Sequence, residues 1–391
     1  RQEEESKQGK QAKQEESKQE IADPAPKKGL IDYCFEAKKV MPLTPSPPPK
    51  SEVIEDTYRI FDMDVLKNHI LLYEKSCHGY RIRTLQLDFY DHNLSISEQK
   101  LDVPHLGDFT VGMNPDPSSH CVNYTLSNPI LPGDTYEYDI TTNTSRLLQH
   151  LPLPAALHED DMAIEARVVE TADHQLIPFT VVAPAKAAAT APVLLSSYGC
   201  YGVDNTIHYH PPFLSLLRRG WMLGYPAIRG GGDKGPRWYQ QGKRRNRLNG
   251  VRDLDRVVGE LSASHPVCLS SNSAGGIVVG SLLNTTTNPI QAALLHVPFL
   301  LLKDTLVRRD LPLTITEFDE WGNPDNAKDR RVIQEVCPYS NLHKRNYPNL
   351  FFTCGVKDKR AMYYNTLKYI NRVRELNLDS DTVQIMRCYA E

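Results

Sequence analysis

The stretch PVCLSSNSAGGIVVGSLL, residues 266–283, decides how this chain folds. A short apolar run from Pro266 to Leu269 leads into Ser271-Asn272-Ser273-Ala274-Gly275, and a second apolar run follows from Gly276 to Leu283. That order is strand, tight turn with a serine at its tip, then helix. It is the setting in which a Gly-x-Ser-x-Gly elbow presents a nucleophile. Small residues flank the serine because such a turn is strained and its strand and helix pack closely. Position 271 departs from the pattern, with Ser where Gly is usual. On spacing alone, a plain Ser-Ala-Gly-Gly turn accounts for the tract equally well.

Outward from this turn, strand and helix alternate from about residue 165 to the end. Strands are expected at 177–183, 192–198, 221–228, 266–270, 291–297, 349–354 and 382–389. Between them, Leu248, Val251, Leu254, Val258 and Leu261 recur every three or four positions, as do Tyr364, Leu367, Ile370 and Val373. This grammar predicts a mainly parallel sheet with helices on both faces. Residues 51–165 read as all β, with HILLYEKS (69–76), YRIRTLQL (80–87), CVNYTLSN (121–128), DTYEYDITT (134–142) and SRLLQHL (145–151) separated by turn residues. Such a meander belongs to a sandwich or to propeller blades, and its length suffices for roughly two blades. Residues 1–28 alternate Lys, Glu and Gln, and 41–50 are proline-rich, so a disordered charged tail and an extended spacer are expected.

A length of 391 residues exceeds what one core usually holds. The expected division is a tail and linker at 1–50, a partial β-propeller at 51–165 and an α/β domain at 166–391. Hydrophobic content of 40% and charged content of 24% place the chain in the soluble globular class. A net charge of −3 gives no long-range preference for nucleic acid or anionic membrane. No apolar run approaches the roughly 18–20 residues that span a bilayer. Eight cysteines lie scattered without a Cys-x-x-Cys pair, which points to reduced core thiols and a cytoplasmic location. The chain starts at Arg1 and stops at Glu391 directly after a strand-like run, so it reads as a fragment of a longer polypeptide.

In a parallel sheet, functional groups gather where strands end and helices begin, and Ser273 stands at such a point. A serine hydroxyl needs a base, usually His, oriented by a carboxylate. In this sheet type the chain order is Ser, then Asp or Glu, then His. Asp358, in the loop after strand 349–354, is the carboxylate candidate on the same rim; a helix N-cap for 359–375 is the competing reading. No histidine follows Asp358, and His265, His296 and His343 precede it at places suited to packing. Either the triad is incomplete or its histidine lies past Glu391. The oxyanion formed on attack requires donors. The elbow supplies the Ala274 N–H, and Tyr198 in SSYGCYG (196–202) offers a hydroxyl, unless it is a core or turn tyrosine.

Further strings complete the picture: IRGGGDKGPRWYQQGK (228–243), HVPFLLLKDTL (296–306), LPLTITEFDEWGNP (311–324) and CPYSNL (337–342). With SSYGCYG, SNSAGG and the Asp358 loop, in this order, they resemble the catalytic domain of the prolyl oligopeptidase family. The likeness is closest to its oligopeptidase B and prolyl endopeptidase-like branch. Residues 51–165 are similar, more loosely, to the end of that family's propeller. The resemblance implies an α/β-hydrolase fold with Ser273 as nucleophile and Asp358 as orienting carboxylate. It implies Tyr198 and the Ala274 N–H as oxyanion donors, with the catalytic His just past Glu391 and this chain alone inactive. In Glu317-Phe318-Asp319-Glu320 it implies a carboxylate that receives a basic substrate side chain. Glu317 is the closest match and Asp319 a further candidate, against a merely solvated acidic loop. The implied function is a serine-type oligopeptidase that cleaves short peptides after basic residues through an acyl-enzyme, with no metal or organic cofactor. An esterase or thioesterase of the prolyl endopeptidase-like type is one alternative, and a non-catalytic adaptor is another. The expected partner is a short peptide or ester substrate, neither nucleic acid nor membrane.

Overall fold

Alternation of buried and exposed side chains along short strands builds the first half of the chain. The structure, a computed structural model, describes residues 58–76, 79–90, 93–154, 161–311 and 313–390, all within one compact unit from Leu43 to Glu391. The charged tail and proline-rich spacer expected at 1–50 lie outside the described residues. β1 (Arg59–Val65), β2 (His69–Ser76), β3 (Gly79–Tyr90) and β4 (Asn93–Val103) form one antiparallel sheet in chain order. β5 (Asp108–Val111), β6 (Cys121–Asn128), β7 (Leu131–Asp139) and β8 (Thr144–Leu151) form a second. In β6 every second residue, including Val122, Tyr124 and Leu126, is buried, as a two-residue period requires. The rings of Phe109, Tyr124 and Tyr136 stack with centroids 4.7 and 5.4 Å apart, and Phe61, Tyr73 and Tyr80 close around Phe109. This aromatic core joins the two sheets.

The third sheet holds β9 (Met162–Glu170), β10 (Leu176–Pro184), β11 (Val193–Ser196), β12 (Met222–Pro226), β13 (Val267–Asn272), β14 (Ala292–His296), β15 (Asn349–Gly355) and β16 (Gln384–Tyr389). Their order is β16-β15-β14-β13-β11-β12-β10-β9, parallel from β16 to β12 and antiparallel across β12, β10 and β9. The sheet begins at Met162, earlier than the sequence suggests, because β9 pairs with β10 along its whole length. Helices cover both faces. Arg247–Ser262 and Gly275–Thr285 bury Leu254, Val258, Ile277 and Leu282 in the main core, while Pro211–Leu217 packs Leu214 and Leu217 against Leu223 and Tyr225 on the other side. In Tyr363–Leu376 the buried stripe is rotated from the expected one. Tyr369, Ile370, Val373 and Leu376 face the core, and Tyr364 and Leu367 stay exposed. The phase that buries Tyr369 with Leu376 removes more apolar area from water than one that buries Tyr364. The chain thus has an α/β-hydrolase fold preceded by part of a β-propeller, and the ends of β11, β13 and β15 open on one rim.

Candidate active site

Ser273 follows β13 directly and precedes the helix Gly275–Thr285. Its φ of +47° lies in the left-handed region, which costs a residue with a side chain about 1–2 kcal/mol. Surrounding bonds hold it there. Its N–H donates to the His296 carbonyl at 2.9 Å, and its own carbonyl accepts from Gly276 at 3.0 Å and Phe299 at 2.8 Å. Gly275 is required, since a Cβ there would lie 2.2 Å from Ser271 Oγ and 3.1 Å from Tyr198 Cα. The turn therefore has elbow geometry, not that of a plain surface turn. Ala274 is 2% exposed and lines a cavity with Ser273, yet its N–H meets no acceptor among the described residues. The Ser273 hydroxyl likewise has no hydrogen-bond partner among them.

The segment 197–201 wraps this turn. The Cys200 thiol donates to the Ala274 carbonyl at 3.6 Å, and the Tyr198 ring packs against Gly275. Burial pushes the Tyr198 hydroxyl up to about 12, helped by Cys200, Glu320 and Glu317, while Arg360 pulls it down. It therefore stays a protonated donor at neutral pH. One buried ion pair braces the segment from behind. Arg247 donates to the Gly199 carbonyl at 2.7 Å and also pairs with Glu320. Glu320 accepts the Tyr201 N–H at 2.9 Å and the Tyr239 hydroxyl at 2.6 Å.

Asp358 sits in the loop after β15, where its Oδ1 accepts the N–H groups of Arg360 at 2.7 Å and Ala361 at 2.9 Å. The following helix begins only at Tyr363 with Met362 at its N-cap, so Asp358 shapes the turn before the helix and does not cap it. That turn sends Lys359, Arg360, Ala361 and Met362 into the cavity wall. The Val356 N–H donates to the Tyr389 carbonyl at 2.9 Å, which sets the end of β16 beside the Asp358 loop. The three histidines weighed from sequence are engaged elsewhere: His265 with the Ala191 carbonyl, His343 with the Asn341 carbonyl and His296 with the Thr353 hydroxyl. Among the described residues no imidazole hydrogen-bonds the Ser273 hydroxyl.

The cavity measures about 500 Å³ and is walled by Phe299, Leu306, Leu313 and Glu317 besides the turn. Glu317 is the one acid of its run in that wall. Its Oε2 accepts the Tyr201 hydroxyl at 2.7 Å and the Trp321 indole N–H at 2.8 Å. Asp319 is not at the cavity. Two residues further along a helical turn, about 200° around the axis, it is exposed and pairs with Lys243 at 2.9 Å and Arg244 at 3.6 Å. Among the described residues no helix is long and apolar enough to cross a membrane, and no three His, Cys, Asp or Glu side chains cluster as metal ligands do. Sequence reasoning missed Arg247 and weighed Glu320 only as one acid of a substrate-binding run; their pairing joins residues far apart in the chain and carries no local signal.

A serine with an unengaged hydroxyl on a left-handed turn atop a parallel sheet, beside an unspent backbone N–H, has the strand-turn-helix geometry of the elbow in an α/β-hydrolase fold. The profile of the prolyl oligopeptidase family matches residues 209–388, and the chain is similar to that family over this stretch. It is 30% identical over 329 residues to a prolyl endopeptidase-like protein of Homo sapiens, covering 81% of this chain and 43% of that one. A dipeptidyl aminopeptidase BI of Pseudoxanthomonas mexicana is 32% identical over 273 residues, covering 68% and 38% respectively. Oligopeptidase B from Leishmania major superposes with a TM-score of 0.78 at 24% identity, over 86% of this chain and 48% of that one. The chain spans less than half the length of these relatives.

Proposed function

We propose that this chain carries the nucleophile, oxyanion donors and orienting carboxylate of a serine-type oligopeptidase that hydrolyses short peptides through an acyl-enzyme on Ser273. The carrying observation is the unspent Ala274 N–H beside the unspent Ser273 hydroxyl on one strained turn. In this reading the hydroxyl attacks the peptide carbonyl, and the oxygen that becomes negative takes the Ala274 N–H and the Tyr198 hydroxyl. The base accepts the serine proton, passes it to the leaving amine and then activates water to release the acid. That base is an imidazole oriented by Asp358. The pairing of Gly355 with Tyr389 supports a position following β16, since it brings the strand's end to the Asp358 loop. Glu317 receives a Lys or Arg side chain of the substrate: it lines the cavity, and its Oε1 has no partner among the described residues. Scattered free cysteines, four of them buried, support a reducing compartment such as the cytosol.

A second reading, ester or thioester scission, is favoured by the apolar remainder of the wall, Phe299, Leu306, Leu311, Leu313 and Met362. The test is labelling of the whole natural polypeptide with a fluorophosphonate, followed by peptide mapping and a panel of arginyl, neutral and ester substrates. An adduct on Ser273 and arginyl turnover are expected. Absence of the adduct overturns the proposal, and turnover of esters alone moves it to the second reading.

A further inference from the structure

The serine at position 271 has no part in the chemistry above. It is 6% exposed, and its hydroxyl donates to the Ser197 carbonyl at 2.6 Å. β11 and β13 pair in parallel as far as Ser196 and Ser270, and the Ser197 N–H still reaches the Ser270 carbonyl at 3.0 Å. In a continuing parallel ladder the next rung would run from the Asn272 N–H to the Ser197 carbonyl oxygen. Among the described residues that rung is not formed, because the strand is already bending into the turn. Ser271 Oγ supplies it instead, and glycine has no group that does so. The residue directly after this rung is Tyr198. A Cβ on Gly275 would meet Ser271 Oγ at 2.2 Å and the Tyr198 ring at 3.1 Å, so hydroxyl, turn and tyrosine share one small space.

We infer that Ser271 is a positioning residue: its bond to the Ser197 carbonyl ties the nucleophile strand to the segment carrying Tyr198, so that Ser273 and Tyr198 keep one geometry. The inference rests on the proposed roles of those two residues. A net hydrogen-bond contribution near 1 kcal/mol corresponds to roughly five- to tenfold. In the whole natural polypeptide, Ser271→Ala is expected to lower kcat by about that factor with KM nearly unchanged, as for a contact used only in the transition state. Ser271→Thr, which keeps the hydroxyl, retains most of the rate. In a Tyr198→Phe background the same Ser271→Ala change costs less than about twofold, since no hydroxyl remains to be positioned. Amide exchange over 197–201, read by mass spectrometry, rises in Ser271→Ala and not in Tyr198→Phe. Equal losses in both backgrounds, unchanged exchange, or a faster Ser271→Gly enzyme overturns the inference while leaving the nucleophile standing. An unreactive parent overturns the nucleophile itself, and with it any catalytic role for the tether.

Discussion

Replacement of Glu320 by alanine tests whether the Tyr198 segment depends on the ion pair behind it. The pair is almost wholly enclosed, with side-chain exposures of 1% for Arg247 and 3% for Glu320. Glu320→Ala removes the acceptor of the Tyr201 N–H and the Tyr239 hydroxyl and leaves Arg247 with the Gly199 carbonyl and the face of Trp321, 4.5 Å away. Stranding one member of a buried pair costs about 3–5 kcal/mol, a large part of the roughly 5–15 kcal/mol that holds a domain folded. The combined Arg247→Met, Glu320→Leu variant leaves no stranded charge and should recover much of that loss. Urea unfolding followed by tryptophan fluorescence reads both, since Trp321 stacks on Arg247 and meets Tyr201 edge to face. A loss under about 1 kcal/mol for Glu320→Ala would show the brace to be energetically idle. So would a double variant no better than the single one.

Other outcomes follow from the same geometry. Tyr198→Phe should slow acylation on the order of 100-fold, the usual scale for one oxyanion donor. In the parent this contribution should stay level from pH 8 to 10, because the hydroxyl keeps its proton until about 12; a decline following ordinary tyrosine titration would contradict it. Glu317→Gln should lower kcat/KM for arginyl substrates by about 10- to 100-fold relative to neutral ones, the scale of a charged hydrogen bond. An unchanged ratio removes Glu317 from specificity. Burial, with Asp204 adding to it, pushes Asp233 up to about 6. A carboxyl raised above its unfolded value resists ionisation in the folded state, so it drains stability as pH climbs from about 4 to 6, and the whole penalty remains above that. Asp233→Asn should therefore raise the urea midpoint at pH 8 and barely at pH 4. The reverse order would refute the assignment.

Much of the hydrolase sheet was legible because its strands are enclosed on both faces and read as apolar runs, as in Val193-Leu194-Leu195 and Met222-Leu223. β1 and β4 were not, since RIFDMDV and NLSISEQKLDV leave most side chains in water and hold their place through backbone pairing. The Ser273 turn could be found because close packing admits only small neighbours. The loop that carries Asp358 could be placed because it follows a clear strand. What stayed hidden depends on distant partners. Ser271 looked like a blemish until the β11–β13 register showed where its hydroxyl goes, and Asp319 stood as a further candidate behind Glu317 until a helical turn carried it to Lys243. Arg247 reads as one more cation in a basic run, and only the fold brings Glu320 to it.

The left-handed conformation at Ser273 sets the molecule against itself. Glycine would relax there by about 1 kcal/mol, so the fold is better off without the side chain that the proposed reaction requires. Descendants freed from any need for reactivity gain by letting this position slide to glycine. A lineage that holds the serine in its cramped pose forgoes that relief in every generation.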